Sequence, residues 1–356
     1  MDTYHVLGIM SGTSLDGTDI ALCGFTYKDN NWIYDILHAT TFAYSDNWIE
    51  SLRGAETTTA RQLVKLDHTY GTYLGQQVKN FLEKQPVQPD FIASHGHTIF
   101  HQPEQHISFQ LGNGAYLAAA AQLPVVCDFR TLDIALGGQG APLVPIGDEL
   151  LFGQYDFCIN LGGIANVSYS QGGKRLAFDI ATCNMLLNHL ANSMGQPYDE
   201  GGRVARSGKL LPGLLAALNA PLYFAQAPPK SLGKEWVLDN SLQSIESYAG
   251  TIEDKLHTVC HHIAMQIQQA LPLLHRQQHR VLLTGGGAFN TYLVELMQCY
   301  LGDAFEVEVP EPEVVSFKEA LIFAFLGVLR WRGEHNCLRS VTGAAHDNTG
   351  GAIYLP

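Results

Sequence analysis

Three glycine-rich turns hold the residue types best suited to handling phosphate. In the first, Gly12-Thr13-Ser14-Leu15-Asp16-Gly17-Thr18-Asp19, backbone N–H groups, hydroxyls and two carboxylates share one short segment between two strand-like runs. Such a turn can form a nest for phosphate oxygens, and the same residue types also fill ordinary hairpin turns. The second, Asn160-Leu161-Gly162-Gly163, follows another apolar run, and the third, Thr284-Gly285-Gly286-Gly287-Ala288-Phe289-Asn290, stands where a strand-like run enters a helical one. A backbone without side chains lets a ribose or base approach, and a helix N-terminus attracts anions. No G-K-[ST] follows any of the three, and none matches G-x-G-x-x-G in a βαβ unit, which disfavours P-loop and Rossmann readings.

The elements that must carry these turns follow from hydrophobic period and punctuation. His5–Met10, Ile20–Tyr27 and Trp32–Tyr44 read as three strands, with the first turn between the first two. A helix running from Thr59 to about Lys84, the short strand Phe91–Ser94, the helix Gly114–Gln122 and the strand Val125–Asp128 complete the first half. The second half repeats the theme: strands Phe157–Leu161, Val167–Ser170 and Leu176–Asp179, the helix Asn184–Met194, and the run Ser241–Leu274, helical in spacing and long enough to hide a break. The strand Arg280–Leu283, the helix Asn290–Leu301, the strand Phe305–Val309 and the helix Phe317–Trp331 follow. The pattern predicts a duplicated α/β unit, with a hinge between about Leu132 and Gly153.

Composition narrows the function classes. A chain of 356 residues exceeds what one core usually organises, and 46% apolar with 15% charged residues marks it as globular. Its net charge of −13 argues against a nucleic-acid surface. The apolar run Ala320–Leu329 is too short for a membrane span, and the N-terminus lacks the basic region of a signal peptide. Seven scattered cysteines without a C-x-x-C pair fit a reducing cytoplasm. His95, His97 and His101 invite a metal reading, but neither H-E-x-x-H spacing nor a cysteine pair accompanies them, so no zinc site is expected.

The segment Gly8 to Asp19 closely resembles the opening of the anhydro-N-acetylmuramic acid kinases, enzymes of bacterial cell-wall recycling. The likeness continues through Ser94-His95-Gly96-His97-Thr98, Asp128-Phe129-Arg130, Gly137 to Pro145, Asn160 to Gly163, Phe178-Asp179, Pro229-Lys230-Ser231 with Gly233-Lys234-Glu235, the triple-glycine turn, Glu319-Ala320 and Val341 to Ala344. This resemblance spans nearly the whole chain. It implies duplicated ribonuclease H-like domains of the actin, hexokinase and Hsp70 type, two lobes around a central cleft, divided into residues 1–135 and 136–356 with the C-terminal helix packing back on the first lobe. It implies ATP and Mg²⁺ as cofactors, an amino sugar as substrate, a homodimer, and neither nucleic acid nor membrane as partner.

The implied reaction opens 1,6-anhydro-N-acetylmuramic acid with water and phosphorylates O6. Asp179 corresponds to the family's base; by its place before a helix it reads equally as an N-cap. Gly12 to Asp19, Asn160, Gly162, Gly163, Gly285, Gly286, Gly287 and Asn290 are the implied nucleotide contacts. His97, Thr98, Arg130 and Glu319 are the implied sugar contacts, with Arg130 suited to a carboxylate; a surface Arg and a helix-capping Glu are the bland alternatives. Asp16 and Asp19 either orient metal-bound water or close their turn, and no metal ligand is assigned. The chain departs from the pattern at His97, where Gln is usual, and at Ile180-Ala181-Thr182-Cys183, where a small T-G-P-[GA] run is usual. Like the family, it has Met10 where the wider superfamily has Asp. The competing functions are another sugar or acyl kinase of the superfamily and a nucleotide-gated interaction protein.

Overall fold

A computed structural model describes residues 2–12, 14–233, 236–274 and 276–356. Thr13, Lys234 and Glu235 lie outside the described residues. The chain forms two compact units, one comprising Met1–Leu151 with Phe317–Pro356 and the other Phe152–Ser316. The division falls between Leu151 and Phe152 rather than between 135 and 136, and the C-terminal segment from Phe317 belongs with the first unit. The stretch expected as a hinge contains the helices Thr131–Ala135 and Val144–Leu151.

In the first unit, β1 (Asp2–Ser11), β2 (Gly17–Lys28) and β3 (Asn31–Ala43) form an antiparallel meander. β4 (Phe91–Gln102) runs parallel to β1, and it pairs with β5 (Ile107–Leu111) and with β6 (Val125–Cys127). In the second unit, β7 (Phe157–Leu161), β8 (Ile164–Gln171) and β9 (Lys174–Thr182) form the antiparallel meander. There β10 (His279–Thr284) runs parallel to β7, and β11 (Phe305–Glu308) runs parallel to β10. Each sheet therefore lays its third, second, first, fourth and next parallel strand side by side, with β12 (Ala352–Tyr354) added antiparallel to β6 in the first. This shared order is the duplicated ribonuclease H-like α/β fold.

Strands entering each core are apolar because both faces are covered. In the first unit Leu7, Ile9, Ile20 and Leu22 pack with Tyr70, Leu74 and Val78 of the helix Ala60–Leu82. That helix starts where Thr59 and Gln62 complete a capping box. In the second unit Phe157, Ile159 and Leu161 pack with Leu186, Val259 and Ile263 from the helices Asn184–Asn192 and Ile252–Ala270. The expected run Ser241–Leu274 does break: helical turns over 237–247 stop before Gly250, and Thr251 caps the next helix by accepting from the Asp254 N–H. The last long helix begins earlier than Phe317, at Pro312, a residue suited to a first helical turn because its missing N–H has no intrahelical partner there. No helix among the described residues is long and apolar enough to cross a membrane.

Candidate active site

The first glycine turn joins β1 to β2, with Leu15 in the left-handed region at φ 61 and the Ser14 hydroxyl donating to Asp16 Oδ1 at 2.6 Å. Among the described residues, a Cβ added at Gly12 would meet nothing nearer than Ser14 Oγ at 3.4 Å, so this backbone is uncrowded. Asp19 accepts from the Thr41 hydroxyl at 2.6 Å. Burial raises the Asp19 pKa, and the charge of Asp16 raises it further. Thr18, expected at the nucleotide, instead sends its hydroxyl inward to Tyr44 at 2.9 Å.

Tyr44 is the centre of a buried hydroxyl chain. Its OH lies 2.6 Å from Ser11 Oγ and 2.5 Å from Tyr70 OH, and Ser11 in turn lies 2.8 Å from His97 Nδ1. The β1–β4 register shift between Ile9 and Ser11 sets Ser11 opposite His97 and so builds this contact. Burial lowers His97 to about 4, which keeps the imidazole neutral near pH 7.

Arg130 follows β6. Its Nη1 donates to the Gly140 carbonyl at 2.6 Å and its Nη2 meets His95 Nε2 at 2.8 Å. Glu319 is half-buried; burial raises its pKa, with Lys318 and Arg130 lowering it and Asp19 raising it. Asp19, Arg130 and Glu319 thus form one electrostatic group in the first unit. Thr98, next to His97 in β4, pairs with Gln110 of β5.

In the second unit Asp179 sits inside β9, opposite Asn166 at a register shift, so it does not cap the following helix. Its Oδ2 accepts from the Leu232 N–H at 2.9 Å, its own N–H donates to the Lys230 carbonyl at 3.2 Å, and its carbonyl accepts from the Tyr223 hydroxyl at 2.6 Å. Burial raises the Asp179 pKa and the Leu232 bond lowers it in part. A carboxylate held this way, fixed at one oxygen and partly removed from water, suits a general base.

The glycines of the second turn direct carbonyls at the helix start. Gly163 O accepts from Cys183 and Met185 N–H, and Gly162 O accepts from Asn184 N–H. In the third turn Gly285 has φ 79, and a Cβ there would lie 2.2 Å from Asn160 Oδ1. Gly286 differs: its Cβ would find only Asn184 Nδ2, at 3.7 Å. Asn290, expected at the nucleotide, caps the helix Thr291–Leu301 by accepting from the Leu293 N–H at 3.0 Å. Within each unit, then, the sites cluster: turn one with His97, Arg130 and Glu319 in the first, turns two and three with Asp179 in the second.

Two residues had no assigned role in the sequence reading. His95 holds Arg130, and Asp133, fully buried, accepts from Gly140 N–H at 2.8 Å, Thr342 Oγ1 at 2.9 Å and Asn348 Nδ2 at 2.8 Å. An Asp just before the glycine-rich run that leads to Pro142 was the available signal. Among the described residues no group of three or more His, Cys, Asp or Glu side chains is arranged to hold a metal ion.

Residues 4–356 match the family model described as anhydro-N-acetylmuramic acid kinase. A protein of that name from Xanthomonas oryzae pv. oryzae (strain MAFF 311018) is 35% identical over 370 residues, covering 99% of this chain and 98% of its own. Namesakes from Francisella tularensis subsp. novicida and Paramagnetospirillum magneticum are 33% and 34% identical, covering 96% and 98% of this chain and 96% and 99% of theirs. With a full-length model match, a duplicated fold and the motifs in place on both sheets, the chain belongs to the anhydro-N-acetylmuramic acid kinase family.

Proposed function

We propose that this family member, an ATP-dependent phosphotransferase, opens 1,6-anhydro-N-acetylmuramic acid and phosphorylates its O6 with Asp179 as the single base. The observation that carries the reading is the Asp179 carboxylate, pinned at Oδ2 by Leu232 and raised in pKa by burial. O6 of the substrate is locked in an internal acetal and has no proton to lose. Water therefore attacks C1, giving one proton to Asp179 and keeping the other on the new C1 hydroxyl. The C1–O6 bond breaks with its electrons on O6, which attacks the γ-phosphorus as ADP leaves. The products are N-acetylmuramic acid 6-phosphate, ADP and a proton, which suits a role in reusing cell-wall sugar.

Arg130, a cation with no acid bonded to it among the described residues, suits the lactyl carboxylate, and Glu319 suits a sugar hydroxyl. The open backbone at Gly12 and Gly286 suits nucleotide and phosphate. Mg²⁺, when bound, neutralises the β- and γ-phosphates. Asp16 and Asp19 fit that role, since their mutual repulsion is what a divalent cation relieves. The cytoplasm is the proposed compartment, where seven free cysteines persist reduced.

The test is ADP release with 1,6-anhydro-N-acetylmuramic acid and Mg²⁺ against a panel of ordinary amino sugars. Turnover of N-acetylglucosamine with none of the anhydro sugar overturns the assignment.

A further inference from the structure

His95 lies in β4 with 6% of its surface exposed, its ring edge-on to Phe323 at 4.5 Å. Its Nδ1 is 2.8 Å from the Gly96 carbonyl oxygen. A carbonyl only accepts, so Nδ1 carries the proton and Nε2 presents a lone pair. Arg130 directs two donors at that lone pair, Nη2 at 2.8 Å and Nε at 3.3 Å, while Nη1 donates to Gly140 O. One N–H on each Nη is left over to donate to a carboxylate. Both holders are neutral. Glu319 attracts Arg130 through space and makes no hydrogen bond to it among the described residues.

We propose that His95 is a positioning residue for Arg130, a neutral acceptor that aims the guanidinium while leaving it without a hydrogen-bonded acid, so that it can pair with the carboxylate of the sugar. The proposal rests on the reading of Arg130 above. An acid in the place of His95 would aim the guanidinium equally well but would neutralise it and repel the incoming carboxylate. Burial and the charge of Arg130 hold His95 down to about 3, so the lone pair stays available near neutral pH. Burial lowers Arg130 only to about 10, so it stays cationic. The second holder is itself fixed, because Gly140 N–H is bonded to the buried Asp133.

A double-mutant cycle tests this, read by titration calorimetry of 1,6-anhydro-N-acetylmuramic acid and in parallel by KM and kcat. His95→Leu is expected to weaken sugar binding about tenfold or more, the scale of a hydrogen bond to a charged group, and to leave the KM for ATP unchanged. His95→Gln, whose Oε1 can replace the Nε2 lone pair, recovers most of the loss. In an Arg130→Ala background His95→Leu costs nothing further. An equal loss in both backgrounds, or a His95→Gln as impaired as His95→Leu, shows a merely structural role and overturns the proposal. If Arg130→Ala leaves sugar affinity unchanged while the wild type turns the sugar over, the role of Arg130 falls and that of His95 with it, and the kinase reading stands. Wild-type ADP release tests that reading separately.

Discussion

Leu232 and Asp179, separated by 53 positions in the chain, are joined by a 2.9 Å hydrogen bond from backbone N–H to Oδ2. The bond fixes one carboxylate oxygen and leaves the other for the water it must deprotonate. Asp179→Asn keeps the shape and an acceptor for Leu232 but removes the base. Its kcat should fall by about 10²-fold or more, while ATP and sugar still bind by calorimetry. Near-normal turnover would move the base to Glu319. Wild-type turnover in ¹⁸O-water should place the label at C1 and leave the transferred phosphate unlabelled.

The raised pKa of Asp179 makes a second, independent expectation. The base works only when ionised, so the acid limb of kcat should lie above the ordinary aspartate value of 3.8. For stability the sign is the reverse of a salt-bridged acid. Folding favours the protonated form, a contribution fully present below 3.8 and lost as pH rises through the higher folded value. Asp179→Asn should therefore melt above the wild type at pH 7, with the gap closing toward pH 4, as followed by calorimetric scans.

Neighbouring glycines in the third turn should respond differently to a methyl group. Gly285→Ala meets Asn160 and the backbone of Leu161 from a left-handed φ, and should lose about 1 kcal/mol or more in denaturant titrations. Gly286→Ala makes only an ordinary contact with Asn184, and should keep its stability while nucleotide affinity falls. Unchanged ATP binding in Gly286→Ala would make that turn structural only.

Tyr44 offers one proton and two lone pairs to Ser11, Thr18 and Tyr70, and all three hydroxyls lie within 2.9 Å. Thr18 donates, so one of the other two donates and the last accepts. Removing the hydroxyl takes a partner from three buried groups at once, and Tyr44→Phe should destabilise the chain by about 2 kcal/mol or more in equilibrium unfolding.

The strands that carry the turns were legible because local pattern and burial agree: β7 spans the predicted Phe157–Leu161, and the first hairpin forms around the predicted turn. β5 and β12 were missed because each is held by its pairing, β5 with β4 beside the main strand order and β12 with distant β6, rather than by its own pattern. Side-chain roles were harder. Thr18 and Asn290 carry the right chemistry in the right motif, yet each completes a bond within the protein that depends on a tertiary neighbour or a cap. His95 was weighed as a metal ligand and set aside. Its pairing with Arg130, 35 positions away, is a fact of the β4–β6 packing and leaves no local signal.

The Asp133 junction changes what counts as part of the sugar site. Its donors Thr342 and Asn348 lie 209 and 215 positions further along the chain, and β12 pairs with the strand that leads into Arg130. A premature stop before Thr342 would delete none of the residues expected to touch substrate. It would nonetheless unseat the loop that steadies Arg130, so a chain cut there would be defective in sugar recognition as well as in stability.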